Sequence, residues 1–353
     1  MKNYITSGDT IIFSIDCNKL IDVNLLCSYN KIIFSNYELN DDLFELYSNN
    51  DLKSFRYICS KFNQHIELPP NITHLTFGHC FNKPVELPPN LTHLTFGKEF
   101  NQYVILPLNL TQITFGKEFN QYIELSPNLT QITFGWDFNK PIELSENLTQ
   151  ITFGSRFNQP IELSPNITQI TFGSRFNQPI ELPPNITHLT FGDAFDQPIE
   201  LPQNLTHLTF GEKFNLSIKL PPNLTQITFG WDFNQHVELP PNLTHITFGE
   251  EFNQPVELPP NLTHITFGKN FNQKVDWPMS IKYLKLCNDE AHNLDYLPVG
   301  IEELELANSF DSSLDNLPNS LLIIKLSVKY KGSIKCIPTS AKIEYHESSN
   351  YIM

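Results

Sequence analysis

The chain is short of basic residues. Only 23 Lys and Arg stand against 38 Asp and Glu, a formal net charge of −15 over 353 residues. That shortage excludes general nucleic-acid binding, which rests on Lys and Arg contacts to phosphate. It also excludes docking on an anionic membrane surface. Charge of either sign is scarce, at 17% of residues, where about a quarter is usual. No apolar run reaches the roughly 18 residues of a membrane-spanning helix. Met1 to Asp16 holds one Lys and the short apolar run Ile11–Phe13, so no secretory signal is expected. Six cysteines occur, at 17, 27, 59, 80, 287 and 336, with no Cys-x-x-Cys. Free thiols in a reducing cytoplasm are the expectation. A P-loop, a Rossmann glycine set, a nucleophile elbow and a zinc-hydrolase motif are all missing. Neither enzymatic activity nor a cofactor is expected.

What is present is repetition. The chain has 28 Phe and 26 Pro, and 40% of it is hydrophobic, enough to bury a large core. Phe-Asn pairs begin at 62, 81, 100, 119, 138, 157, 176, 214, 233, 252 and 271, with Phe-Asp at 195. Every step is 19 residues without insertion, and eleven full units fill 62–270. A strict period of this length means one structural coil per unit, each stacked on the last.

With the Phe as position 1, positions 10 to 16 carry the strand. In Asn185–Phe191, Leu189 and Phe191 alternate with His188 and Thr190, the period of a strand. Position 17 is Gly, which suits positive φ or a close backbone approach. Positions 1 to 9 carry up to three prolines, as at Pro179, Pro183 and Pro184. These exclude a helix and favour an extended return. Phe at positions 1 and 16 accounts for 23 of the 28 Phe and predicts two internal aromatic columns. The fold class is therefore a repeat β-solenoid with one short parallel strand per coil.

Three regions follow. Residues 1–61 form a small mixed α/β cap, with strands at Thr10–Ser14 and Lys31–Ser35. Helices are allowed there at Asp41–Ser48 and Asp51–Phe62, Asp51 serving as an N-cap. Residues 62–270 are the repeats. Residues 271–353 are degenerate coils with a period of 20 around Leu284, Leu304 and Ile324, more charged on the strand, as a terminal cap requires.

The unit Phe-Asn-x-Pro-Ile followed by Leu-Pro-x-Asn-Leu-Thr-x-Leu-Thr-Phe-Gly resembles the FNIP repeat, a variant of the leucine-rich repeat known mainly from amoebae and giant viruses. The spacing Leu91, Leu94, Phe96 is similar to that of leucine-rich repeats. Their usual Asn is displaced: Glu99 holds its place and Asn101 follows two residues later. Some members of the family carry an F-box before the repeats, and Asp51–Phe62 resembles the end of one. Upstream, Asp42–Tyr47 fits it poorly and the Leu-Pro opening is absent. The resemblance implies a protein-binding scaffold, with a Skp1-type adaptor as partner if the F-box works.

Candidate binding residues lie at position 13: His74, His93, Gln112, Gln131, Gln150, Gln169, His188, His207, Gln226, His245 and His264. Position 15 is Thr in every unit. Both share the face opposite the apolar positions 14 and 16, so they form a polar strip facing solvent. Leucine-rich solenoids bind partners on this face; polar ladders on an exposed sheet are the alternative. Trp136 and Trp231, just past the glycine corner, are candidates for partner contact. Adjacent histidines supply at most half of a zinc site, so no metal is expected. The Glu at position 6 forms a uniform acidic ladder, which offers no distinct acid and base. Tyr103 and Tyr122 in place of Pro, with Ile105 in place of Glu, mark a local departure. Asn at position 10 and Thr at 12 spell a glycosylation sequon in each unit, unused without secretion. The expected function is a non-enzymatic, cytoplasmic protein-interaction scaffold, which the F-box resemblance extends to substrate recognition for a ubiquitin ligase. The alternative is an extracellular ligand- or polysaccharide-binding solenoid.

Overall fold

The computed structural model describes residues 4–37, 59–287, 297–307, 310, 314, 317–331 and 337–346. The helices allowed at 41–48 and 51–58, and with them most of the F-box-like segment, lie outside these residues. Its described end, residues 59–62, is not helical; Phe62 is instead a fully buried core residue. The chain divides into two compact units, Met1–Pro183 and Pro184–Met353.

In the first unit, β1 (Tyr4–Ser7) and β2 (Thr10–Phe13) form an antiparallel hairpin around Gly8, whose φ is 55°. A single helical turn, α1 (Val23–Leu26), is capped by Asp22, which accepts the Asn24 N–H at 2.9 Å. Next comes β3 (Lys31–Phe34). The repeats then supply β4 (His74–Thr76), β5 (His93–Thr95), β6 (Gln112–Thr114), β7 (Gln131–Thr133), β8 (Gln150–Thr152) and β9 (Gln169–Thr171). From β2 to β9 each strand pairs in parallel with the next, without slippage. Lys31 lies opposite His74 and Ile32 opposite Leu75. Residues 4–37 thus belong to the same sheet as the repeats.

The second unit holds β10 (His188–Thr190), β11 (His207–Thr209), β12 (Gln226–Thr228), β13 (His245–Thr247) and β14 (His264–Phe267). The degenerate coils continue it with β15 (Tyr283–Leu286), β16 (Glu303–Leu306), β17 (Ile323–Ser327) and β18 (Lys342–His346). From β10 to β18 each strand pairs in parallel with the next.

The core is aromatic. Phe at position 16 stacks on Phe at position 1 across the glycine corner, with centroids 3.8 Å apart for Phe134 and Phe138. The two predicted columns are thus one double column. Between coils, position-16 rings in the middle of the first unit lie 5.6–5.8 Å apart. Position-1 rings there lie 6.1 Å apart. These coils therefore fan, with the strand side innermost. Positions 11 and 14, such as Leu129 and Ile132, complete the core at 0–2% exposure. Each such side chain stabilises by roughly 1.5–3 kcal/mol relative to exposure.

Polar ladders hold the coils in register where prolines leave few backbone donors. The Asn at position 2 accepts, through Oδ1, the backbone N–H of the same Asn one coil later, as in Asn139 to Asn120 at 3.0 Å. That oxygen also accepts Gln Nε2 from position 3, as Asn139 does from Gln159 at 3.1 Å. The displaced Asn therefore does form an internal ladder. A second ladder runs from Nδ2 of the position-10 Asn to the position-9 carbonyl of the preceding coil, 2.8 Å for Asn147 to Pro127. The amide that a glycan would occupy is thus a rung of the stack. Position 17 is Gly because of close approach, not positive φ. A Cβ on Gly135 would overlap the carbonyl of Gly116.

Candidate functional site

Position 13 sits at the start of each short strand, so its side chain and the Thr two residues on point away from the phenylalanine core. In the first unit His74, His93, Gln112, Gln131, Gln150 and Gln169 line up opposite one another across β4 to β9. In the second, His188, His207, Gln226, His245 and His264 do the same across β10 to β14. The strip is half-buried more often than fully exposed, because neighbouring rungs cover one another. Over part of the second unit it hollows into a groove of about 340 Å³, where His207, His245, His264 and Tyr283 lie among the threonines.

The histidines are held in a defined orientation. Their rings stack in pairs with centroids 4.2 Å apart: His74 on His93, His188 on His207, His245 on His264. Each Nδ1 lies 2.8–2.9 Å from the hydroxyl of the preceding Thr. For Thr92, Thr206, Thr244 and Thr263 that hydroxyl already donates to a carbonyl of the previous coil at 3.0 Å. Its proton is committed, so the imidazole Nδ1 must donate. Nε2 is then an acceptor at the outer edge of the ring in the neutral state. Burial, followed by the neighbouring His93 and by Lys31, pulls the His74 pKa down to about 4. His93, His207 and His245 are also lowered, burial being the first cause in each. His74, His93, His207 and His245 are therefore neutral at pH 7, and a neutral ring stacks without charge repulsion.

Trp136 and Trp231 lie off the strip, 53% and 47% exposed, one in each unit. Lys117 places its ammonium 5.8 Å from the Trp136 ring centroid. Neither tryptophan is brought beside the position-13 row by the strands. The acidic position-6 side chains from Glu67 to Asp276 are exposed on the return arm, a different side of the coil. Among the described residues, no three His, Cys, Asp or Glu side chains converge as metal ligands, and no helix is long and apolar enough to cross a membrane.

In the C-terminal coils the same face changes chemistry. Lys285 meets Glu305 at 2.7 Å, Lys325 meets Glu303 at 2.5 Å, and the Tyr283 hydroxyl donates to Glu305 at 3.0 Å. The expectation of a more charged strand is met, and the charges are paired across strands. The pairing of Tyr283 with Glu305, 22 residues apart, follows only from the register.

Stacked strands, a glycine corner and a double Phe column in 19-residue coils are the features by which a repeat family is recognised. The FNIP Repeat profile matches residues 62–99, 81–118, 138–164, 157–181, 176–213, 214–251 and 252–289. Together these span 62–118 and 138–289, more than half of the 353 residues. The chain belongs to the FNIP repeat family. Among solved structures, this FNIP repeat protein is similar to CroV588, described as a novel circular LRR protein. The two share 28% identity over 98% of this chain and 80% of that one, with a TM-score of 0.39. It is also similar to YopM from Yersinia enterocolitica, at 18% identity over 79% and 88% and a TM-score of 0.37. A leucine-rich repeat protein from Bacteroides ovatus matches at 14% identity over 98% of both chains, TM-score 0.30. No curated protein matches the chain. The β-solenoid itself is read from the chain's own strands and register.

Proposed function

We propose that this FNIP repeat protein is a non-enzymatic scaffold that binds a partner protein across the polar face of its sheet. One observation carries the reading. His and Gln side chains recur at position 13 in register along each unit, flanked by Thr, on the face opposite the phenylalanine core. Such a row supplies hydrogen-bond donors and acceptors at about 4.8 Å spacing. It is pre-organised by the Thr to His contacts, which lowers the ordering cost of binding. Its repetition offers no single acid–base or nucleophile–base pair, which catalysis would need.

The test is a pair of charge insertions, Thr133→Lys with Thr152→Lys, set against Glu143→Lys on the return arm. Proteins captured from the native host by the wild type should be lost with the first variant and kept with the second. Capture that is indifferent to the Thr substitutions overturns the reading. The finer version, substrate recognition for a ubiquitin ligase, is supported only by the F-box resemblance of Asp51–Phe62. Purified full-length chain that forms no complex with a Skp1-type adaptor removes it. A cytoplasmic location belongs to the same proposal and is supported by the free thiols of Cys17, Cys27, Cys59, Cys80 and Cys287 among the described residues.

A further inference from the structure

The return arm of the first unit departs from the repeat in one place, and the departures coincide with a groove. Position 8 is Pro in eight of the eleven units, but Ser126, Ser145 and Ser164 replace it in three consecutive coils. Ser126 and Ser164 are buried and tie back to the preceding coil, donating to the carbonyls of Leu108 and Glu146 at 2.9 and 3.0 Å. Along these coils runs a groove of about 1300 Å³. Its apolar walls include Ile123, Ile142 and Ile161. Glu124, Glu143, Glu146 and Glu162 line it, and no basic side chain does.

Tyr103 and Tyr122 stand at one end of this groove, in the place that Pro holds in six other coils. They are 63% and 64% exposed, beside Ile105 at 74% and Leu108 at 69%. Lys140 places its ammonium 5.1 Å from the Tyr122 ring centroid. The chain itself thus shows that this ring receives a cation. Among the described residues no cation of the chain lies over Tyr103.

We propose that this groove docks an extended, Lys- or Arg-bearing segment of a partner protein, its cations over Tyr103 and between the glutamates, its apolar side chains against the isoleucine wall. Charge complementarity selects the occupant. Carboxylates about one strand spacing apart repel one another, and apart from Lys140 at the Tyr122 end no basic side chain stands along the groove lining. An alternating basic and apolar segment satisfies both the acids and the apolar wall. A neutral apolar segment leaves the acids unpaired. A second copy of this chain, at net −15, meets them with like charge.

The experiment uses the full-length chain and a fluorescent peptide alternating lysine with valine, read by anisotropy. Its counterpart alternates glutamate with valine. The lysine peptide should bind, weakening as salt is raised, and the glutamate peptide should not. Tyr103→Pro with Tyr122→Pro, which restores the repeat consensus, should weaken binding about fivefold or more, the scale of a lost cation–π contact. Glu143→Gln with Glu162→Gln should weaken it similarly. Glu238→Gln with Glu257→Gln removes the same charge from the same ladder outside the groove and should leave binding unchanged. The proposal is overturned if both Gln pairs weaken binding equally, which is adsorption to the acidic ladder. It is also overturned if restoring the prolines changes nothing while thermal unfolding shows the variant folded. Loss of sheet-face capture by the Thr133→Lys variant has no bearing on this outcome, so the two surfaces fail separately.

Discussion

The central coils and the C-terminal coils solve one problem in opposite ways. Both expose positions 13 and 15 on a parallel, in-register sheet. In the central coils every strand is a near copy of its neighbour, so each residue faces itself: Thr95 lies opposite Thr114, and Gln131 opposite Gln150. Like charges in that arrangement are destabilising. Only side chains that tolerate their own kind survive there: Thr, Gln and neutral His. In the C-terminal coils the copies have diverged. Lys285, Glu305 and Lys325 follow one another across β15, β16 and β17; Glu305 pairs with Lys285 at 2.7 Å and with Lys325 at 3.8 Å, and Lys325 also pairs with Glu303. Exact repetition forbids charge on a close-packed row; divergence permits it. At the variable corner, too, unlike charges of adjacent coils pair, Arg156 with Asp137 at 2.8 Å and Lys213 with Asp232 at 3.1 Å. The position-6 glutamates escape it because they are exposed to water.

The sharpest way to break this contrast is at glycine. Gly135→Ala sets a Cβ into the carbonyl of Gly116, a backbone atom that can move only if the coil spacing opens. A loss of about 3 kcal/mol or more is expected, read as a fall in denaturation midpoint. Gly300→Ala, in the C-terminal region, meets its nearest atom, the Met279 carbonyl, at 3.3 Å. It should cost less than about 1 kcal/mol. Equal effects would show that coil spacing is as loose in the centre as at the end.

A smaller effect tests the ion pairs. Burial alone would raise the pKa of Glu305, but Lys285, Tyr283 and Lys325 bring it below its ordinary value. The native state therefore favours the carboxylate. Its contribution is present above the unfolded carboxylate pKa and lost as pH falls through the lower folded value. Glu305→Gln should destabilise by roughly 1–2 kcal/mol at neutral pH and by much less in acid. A variant equally destabilised at both pH values would show that packing, not charge, is what Glu305 contributes.

The smallest effect concerns the histidines, which are the central row's one concession to charge. The folded pKa values of His74, His93, His207 and His245 lie below 6.5, that of His74 at about 4. The unfolded state then binds more protons between those values, so stability is complete above about pH 6.5 and is lost progressively towards pH 4. Replacing His74 and His93 by Gln, the residue that other coils use, should flatten this part of the pH profile. The gain in melting temperature near pH 5 should be a few degrees. An unchanged profile would mean that the stacked pairs protonate without penalty.

Much of the coil was legible in the residues. The period of 19, the short strand ahead of the position-16 Phe and the glycine corner all follow from alternation and backbone permissiveness. The position-13 row was legible for the same reason. Residues 4–37 were harder to place in the sheet. The step from Thr10 to Lys31 is 21 residues, and Ile12 and Ile33 stand where the repeat has Thr. The Asn ladder was hidden because its partner lies one whole coil away. Tyr103 and Tyr122 stood out as departures, yet the groove beside them needed Ser126, Ser145 and Ser164 to be seen as one stacked row.

A strict short period, read one residue after another, is enough to dictate which side chains are buried, since burial depends on local alternation and apolar content. It also dictates that each coil rests on a copy of itself. Which polar atoms meet depends on register and on distances of a few ångströms between residues 19 or more apart. The tautomer of the histidines, the overlap that excludes a Cβ at Gly135 and the groove on the return arm all arise there. Hydrogen bonds and steric exclusion act over contact distance, and stacking the coils is what sets those contacts.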